Sequence, residues 1–356
     1  MQWPVREGTA PQARFFSEGG FFAADRLARF VAPEVPALRS ETSAARPLRL
    51  NTGRIRDQWH TMTRTGLSPR LGQHLPEPFV EVHPDDALRF GLSDGSFARV
   101  TTDHGQCTLK VVVSERQQRG MLFAPIHWSE ANAAAARVGS LVAPFTDPWS
   151  GQPENKATPA SIAPYEYVFS GFALSRRPLA LPDHAWWARV AVNGGHGYLL
   201  ADNADLKDWQ RWLRVDAGED FAEYFDFGGG IYRGASFADD RIESCLFIGP
   251  AHDAGDWNVV KDLFAAGPLT DTQRRMLLSG RAGDGVVPTG AIVCACFGVG
   301  RTTISNAIAA GAHTPAEIGR RLKAGTNCGS CVPEMKRLIA EAGGAGAETR
   351  KLVAAN

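Results

Sequence analysis

The segment "CACFGVG" (294–300) sets Cys294 and Cys296 one residue apart, and "GTNCGSC" (325–331) sets Cys328 and Cys331 two residues apart. Four of the chain's six cysteines therefore fall in two tight pairs. Thiolates bind metal only when deprotonated, and gathering four of them is costly unless a cation neutralises the charge. This pairing constrains the last part of the chain more than any other feature. Residues 297–327 leave room for two helices between the pairs. "RTTISNAIAAGA" offers Thr302 or Thr303 as a cap, with Ile304 and Ile308 one turn apart. "HTPAEIGRRLKAG" has Thr314 as N-cap, Pro315 at the first helical position, Glu317 closing a capping box and Gly325 as the stop. A third helix is expected from about Cys331 through Ile339. Such a unit has little core, so a metal staple is a natural source of its stability. The backbone N–H groups of "TNCGSC" can donate to sulfur, and Gly329 lets the backbone approach closely. A [2Fe–2S] cluster takes four cysteines. Zinc does too, although all-cysteine zinc sites usually come from two Cys-x-x-Cys knuckles and the first pair here is Cys-x-Cys. Disulfides or incidental thiols are the remaining readings. The residues alone favour iron–sulfur and leave zinc open.

At 356 residues the chain is too long for one core, which predicts two or three domains. The 38 basic and 38 acidic residues balance, which argues against a nucleic-acid partner, since that needs a basic excess. No apolar run reaches the length of a bilayer span, and the first residues, "MQWPVREGTAPQARFF", have no apolar signal region, so no membrane partner is expected. Arg-Arg pairs occur only internally, and Cys107 and Cys245 stand alone. This usage fits a reducing cytoplasm better than a disulfide framework.

Residues 1–46 are rich in Pro and Arg and read as a lead-in. From 47 to 173 the pattern is mostly β: "FVEV", two β-rich runs around Asp103-His104-Gly105, and "GMLFAPIHW", with a short helix at "HPDDALRFGL". A barrel is the expected outcome. Residues 174–186 hold two prolines and read as a linker. A smaller α+β unit is expected over 187–285, with Leu206, Trp209, Trp212 and Leu213 at helical spacing, a capping box at Thr270 and Gln273, and a connector at 283–290. The helical cysteine unit takes 286–342, and 343–356 reads as a flexible tail.

"LNTGRIRDQWHTMTRTG" (50–66) is the second informative stretch. Gly53 permits close approach, Thr52 offers a hydroxyl, and Arg54 can take a phosphate bidentately. Arg56 and Arg64 add charge, while Trp59 and His60 add a flat face and a hydrogen-bonding tip. The loop suits an anionic, ring-bearing ligand; the competing reading is a solvated basic loop with a packed Trp. It matches neither a Walker loop nor a dinucleotide fingerprint.

"VCACFGVGRTTISNAIAAGAHTPAEIGRRLKAGTNCGSCVPEMKRLI" closely resembles the [2Fe–2S] domain shared by bacterioferritin-associated ferredoxin, NAD(P)H nitrite reductases and assimilatory nitrate reductases. The resemblance fills all four ligand positions, Cys294, Cys296, Cys328 and Cys331, and implies a [2Fe–2S] cluster. The stretch from 47 to 173, with "PEPFVEVHPDDA", "FAPIHWSE" and "DPWSGQPENKATP", resembles the molybdopterin guanine dinucleotide-binding domain of large molybdenum oxidoreductases, and among them the cytoplasmic assimilatory nitrate reductases. That resemblance implies a double-psi barrel in a multidomain chain, followed by a small α+β domain and the helical [2Fe–2S] domain. It implies that Thr52 through Thr61, including Gly53, Arg54, Trp59 and His60, hold the pterin dinucleotide. Lys156 would meet the dinucleotide from the opposite loop, with His127 and Trp128 as pocket walls. The sequence departs from many relatives at Gly139, where they carry Asn. His127 also reads as a satisfied strand-end histidine and Trp128 as core.

The middle unit resembles the region preceding the cluster domain in the same reductases, and "GGGIYRGASFADDRIESCLFIG" resembles a small β-rich domain of NADH-dependent nitrite and rubredoxin reductases. No chemistry is assigned to it. Such relatives carry a [4Fe–4S] motif and a molybdenum ligand upstream, and no Cys-x-x-Cys-x-x-x-Cys run occurs here. The resemblance therefore implies the C-terminal part of a longer nitrate reductase. It implies a bis-dinucleotide molybdenum cofactor shared with an upstream catalytic chain or domain, and electrons delivered by a reductase, ferredoxin or flavodoxin. A non-catalytic electron-transfer module, a zinc-stapled interaction domain and another molybdopterin enzyme such as a formate dehydrogenase are the alternatives. The purified chain is expected not to reduce nitrate with a reduced dye; turnover in that assay would contradict the reading.

Overall fold

The computed structural model describes residues 8, 16, 19–30, 32, 34, 37–148, 150–215, 217–250, 254–281 and 289–353, the side chains of 344–353 excepted. Most of the expected 283–290 connector lies outside them. By their contacts, Met1–Arg39 form one unit and Ser40–Asn356 another. The described residues of the first unit hold no helix or strand.

The second unit opens with a closed six-stranded barrel in the order β1-β5-β2-β4-β3-β6. Its strands are β1 (Leu48–Gly53), β2 (Phe79–Val82), β3 (Phe97–Thr101), β4 (Gln106–Val113), β5 (Met121–Pro125) and β6 (Thr158–Tyr165). Two of the pairings, β1 with β5 and β2 with β4, are parallel, and the others are antiparallel. Alternation decides which side chains point inward: in β1, Leu48, Leu50 and Thr52 are buried while Arg49, Asn51 and Gly53 are not fully so. Leu48, Leu50, Val80, Val82, Leu109, Leu122 and Trp128 fill the interior, each large apolar chain worth roughly 1.5–3 kcal/mol when fully buried. Helix α1 (Pro84–Arg89) starts where His83 accepts the Asp85 N–H, with Pro84 in the first turn, as expected of "HPDD".

A six-stranded antiparallel sheet follows, ordered β10-β11-β12-β7-β9-β8. Its strands are β7 (Phe169–Ser175), β8 (Trp186–Val192), β9 (Gly195–Asp202), β10 (Phe221–Asp226), β11 (Ile231–Ala238) and β12 (Arg241–Gly249). Helix α2 (Leu206–Val215) contributes Trp209 and Leu213 to the core on one face. Helices α3 (Trp257–Ala265) and α4 (Asp271–Ser279) contribute Val260, Phe264 and Leu277 to the core on the other. Cover on both faces explains why the second half of β12, Cys245–Gly249, is buried continuously rather than in alternation. The expected Thr270–Gln273 capping box opens α4.

This sheet revises two sequence boundaries. Strand β7, counted with the barrel, pairs with β9 and β12, and the 174–186 linker includes the end of β7 and the start of β8. The reason is packing: Phe172 and Leu174 fall in the core on the α3/α4 face, while Phe169 and Ala173 fall in the core on the α2 face. Trp186 also donates its indole N–H to the Thr108 carbonyl at 3.0 Å, tying the sheet to the barrel.

The last part contains the short pair β13 (Ile292–Cys294) and β14 (Val299–Gly300), then α5 (Arg301–Ala309), α6 (Pro315–Leu322) and α7 (Val332–Val353). The Thr314–Glu317 capping box forms. Helix α5 begins at Arg301, one residue before Thr302 and two before Thr303, the threonines expected to cap it. Its first N–H groups, of Arg301 and Thr302, donate instead to the carbonyls of Ala291 and Thr289. Helix α6 ends at Leu322 on Lys323 in the left-handed region, two residues before the expected glycine stop. Helix α7 continues past 342, where a tail is expected.

Strands β7 and β12 approach closely at Gly171, where an added Cβ would lie 1.9 Å from the Phe247 carbonyl oxygen. Gly171→Ala is expected to force the strands apart and cost ~1–3 kcal/mol, read as a lower urea midpoint with an unchanged slope.

Candidate functional site: a barrel loop and four cysteines

The chain leaves β1 into an irregular loop, and three non-glycine residues there, Asp57, His60 and Met62, take positive φ (69°, 44° and 61°). Such backbone is costly for residues with a Cβ and persists only where surroundings impose it. His127 supplies much of that constraint. It is wholly buried at the end of β5, and its Nε2 accepts the Ile55 N–H at 3.0 Å. Its Nδ1 therefore carries the proton and donates to the His60 carbonyl at 2.5 Å. Burial pushes the His127 pKa down, keeping the ring neutral as this bonding requires. Asn132 adds a contact to the Thr61 carbonyl at 3.5 Å. Met62, buried in the barrel core, anchors the loop's far side.

The expected loop residues fall into two groups. Arg54, Trp59, His60 and Thr61 are exposed, with Trp59 52% accessible. The Arg54 guanidinium lies 5.9 Å from the Trp59 ring centre, and Trp59 meets His60 edge-on at 4.6 Å. This is a cation and an indole face free to meet a ligand. Thr52 is buried, and its hydroxyl is spent on the Asn155 carbonyl at 2.7 Å. Gly53 is required by packing, since a Cβ there would come within 2.7 Å of the Phe123 ring. Lys156, 104 residues later in sequence, reaches the loop: its ammonium donates to the Thr52 carbonyl. His127 lies beneath the loop. Trp128 packs in the barrel core, and its indole N–H has no acceptor among the described residues. At Gly139 an added Cβ would meet nothing within 4 Å, so packing does not impose glycine there. A cavity of about 480 Å³ lined by Phe97, Lys110, Tyr165 and Tyr167 contains none of these residues.

The four cysteines assemble two and two. Cys296 and Cys328 have their sulfurs 3.4 Å apart, and Cys294 lies in hydrogen-bonding contact with Cys331. Two thiolates on one tetrahedral metal at ~2.3 Å are about 3.8 Å apart, so each pair suits one metal atom. No group of three or more ligating side chains converges among the described residues. A [2Fe–2S] unit takes two thiolates per iron, which two pairs of sulfurs fit. Cys294 and Cys331 are buried, Cys296 is half-buried and Cys328 is exposed. Donors already face the sulfurs: the Asn327 amide to Cys296 at 3.4 Å, the Ser330 N–H to Cys328, and the Gly325 N–H to Cys331. Burial, then the neighbouring Cys294, pushes the Cys331 thiol up to about 12, so a bound cation would offset a large cost of its thiolate form.

Sequence reasoning missed what joins the two places. Arg56 Nη2 donates to the carbonyl of Val293, the residue before Cys294, at 2.8 Å and to Glu334 on α7 at 2.7 Å. Asp57, almost fully buried, faces Arg56 at 3.3 Å and His74 at 3.4 Å, and accepts the Ser330 hydroxyl at 3.2 Å. His74 also faces Glu334 at 3.4 Å, and Arg70 reaches the Cys296 carbonyl at 3.4 Å. Burial works against the Glu334 charge, but His74, then Arg56 and Arg337, outweigh it and hold the carboxyl below its ordinary value. The available signal was Asp57 itself, an acid inside a stretch otherwise suited to phosphate.

His127 sets a pH dependence. Its folded pKa lies below the ordinary 6.5, so as pH falls through that value the unfolded chain takes up a proton that the folded chain does not. Stability is full above pH 6.5 and declines below it. The urea midpoint of the wild type should drop between pH 7.5 and 5.5, with a shallower drop in His127→Gln; His196, also lowered by burial, accounts for a remainder.

Comparison with known proteins matches both places. Residues 48–159 match the family described as Molydopterin dinucleotide binding domain, and residues 292–341 match the BFD-like [2Fe-2S] binding domain. The chain is 40% identical to a nitrate reductase of Klebsiella oxytoca over 342 residues, 96% of this chain and 39% of that protein. It is 29% identical over 166 residues to the assimilatory nitrate reductase catalytic subunit of Bacillus subtilis, 46% of this chain and 23% of that protein. It is 27% identical over 162 residues to F420-dependent formate dehydrogenase 1 subunit alpha of Methanococcus maripaludis, again 46% and 23%. The chain thus spans about two fifths or less of the length of these curated relatives. It carries a molybdopterin dinucleotide-binding domain followed by a BFD-like [2Fe–2S] domain, in a sequence related along nearly its whole length to part of a nitrate reductase.

Proposed function

We propose that this chain is the dinucleotide-holding and electron-receiving portion of a molybdenum-dependent nitrate reductase acting in assimilation in the cytoplasm. Its barrel would be of the double-psi type, a reading that the two parallel pairings support. The observation that carries the proposal is the order of the two domains within one stretch 40% identical to a nitrate reductase over 96% of this chain. The formate dehydrogenase likeness covers only 46%. No helix of the described residues is long and apolar enough to cross a membrane.

When bound, the molybdenum cofactor supplies the two-electron reduction of nitrate to nitrite, and the cluster supplies single electrons. The chain's residues do the holding. Arg54 offers a planar fork to a phosphate, Trp59 offers a face to a ring, and Lys156 adds a cation from the opposite loop. Neutral His127 fixes the loop backbone from beneath. Cys294, Cys296, Cys328 and Cys331 would ligate the cluster, with the more exposed Cys296/Cys328 edge open to an incoming electron-donor protein. An upstream catalytic chain or domain would share the dinucleotide cofactor.

Anaerobically purified chain should be brown and hold about two irons and two acid-labile sulfides. Cys331→Ser should lose both, and a colourless, zinc-loaded protein would overturn the cluster assignment. Arg54→Ala should weaken binding of the isolated molybdopterin guanine dinucleotide about tenfold. Equal affinity would remove Arg54 from the site, and no binding by the wild type would leave only an electron-transfer module.

A further inference from the structure

One hydroxyl stands between the two sites. Ser330 Oγ lies 3.2 Å from Cys328 Sγ and 3.2 Å from a carboxylate oxygen of Asp57. A serine has one proton to donate, whereas a cysteine bound to iron is a thiolate with none. With a cluster held, sulfur and carboxylate compete for the same proton. Ser330 lies equally close to both acceptors, so the Asp57 carboxylate weakens the bond that the sulfur would otherwise receive. Asp57 is fixed in that position by its left-handed backbone and by Arg56, which also grips the residue preceding Cys294.

We propose that Asp57, on the barrel loop, is a positioning residue that sets how strongly Ser330 hydrogen-bonds the Cys328 sulfur, and thereby lowers the reduction potential of the cluster. This rests on the four cysteines being the cluster's ligands. Hydrogen bonds to a cluster's sulfurs favour its reduced, more negative state, and a nearby negative charge disfavours that state. Asp57 acts in the same direction by both routes, drawing the hydroxyl proton away and adding a charge. Because Asp57 belongs to the loop assigned to the dinucleotide, displacement of that loop also moves the acceptor that competes for the Ser330 proton.

The test uses the full chain purified anaerobically as wild type, Asp57→Asn, Ser330→Ala and the double variant. Iron content, the electron paramagnetic resonance of the reduced cluster and a redox titration followed by visible absorbance are measured for each. All four should hold iron. Asp57→Asn should shift the midpoint upward and change the resonance signal, and the shift it causes should shrink in the Ser330→Ala background, where only the charge effect remains. Unchanged potentials in loaded proteins would overturn the proposal, and so would an Asp57→Asn shift of equal size with and without Ser330. Wild-type protein without iron would overturn the cluster assignment itself, and this inference with it. If Asp57→Asn does not fold, Asp57→Glu keeps the charge but moves the acceptor; a shifted potential is expected there too, and an unchanged one refutes the role of Ser330.

Discussion

Arg56, Asp57, His74 and Glu334 meet where water is largely shut out, their side chains 6–20% exposed. Taking an unpaired charge out of water costs several kcal/mol, and removing one partner of a buried set leaves the others bare. Here the partners come from segments far apart in sequence: three from the stretch after β1 and one from α7. Sliding the helical unit off the barrel would strand charge on both sides. The arrangement adds little net stability by the usual accounting for buried ion pairs, but it specifies a single docked geometry. The relation between the phosphate-suited loop and the four sulfurs depends on it.

The loop is held from below as well. His127 clamps it by backbone groups at two points, the Ile55 N–H and the His60 carbonyl, and Asp57, His60 and Met62, between and beyond them, take up unfavourable backbone angles that no local preference supplies. Arg54 and Trp59 are thus presented on a prepared frame, and ordering costs at the moment of binding are reduced. The same logic explains why two residues that looked ligand-facing serve the frame. Thr52 closes onto Asn155, and Gly53 makes room for Phe123.

Much of this was legible where one local rule dominates. The Thr314–Glu317 and Thr270–Gln273 boxes form because capping chemistry is complete within four residues. The spacing of the cysteines pointed to a metal site, and the match to a BFD-like [2Fe-2S] binding domain over residues 292–341 favours iron–sulfur over zinc. What was not legible depends on distant partners. Strand β7 looks like barrel until β9 and β12 arrive to pair with it. The α5 cap is supplied by carbonyls of Ala291 and Thr289, so no side chain announces it. Ser330 reads as a spacer between two cysteines until Asp57 is brought against it.

The reach of Arg56 bears on the order in which the molecule is made. Its partners Val293 and Glu334 follow it by 237 and 278 residues. A chain leaving the ribosome folds its earlier domains first, so the barrel closes while this arginine still lacks both anchors. The loop after β1 therefore stays unlatched until α7 has emerged, and a helix made 278 residues later fastens a part formed long before it.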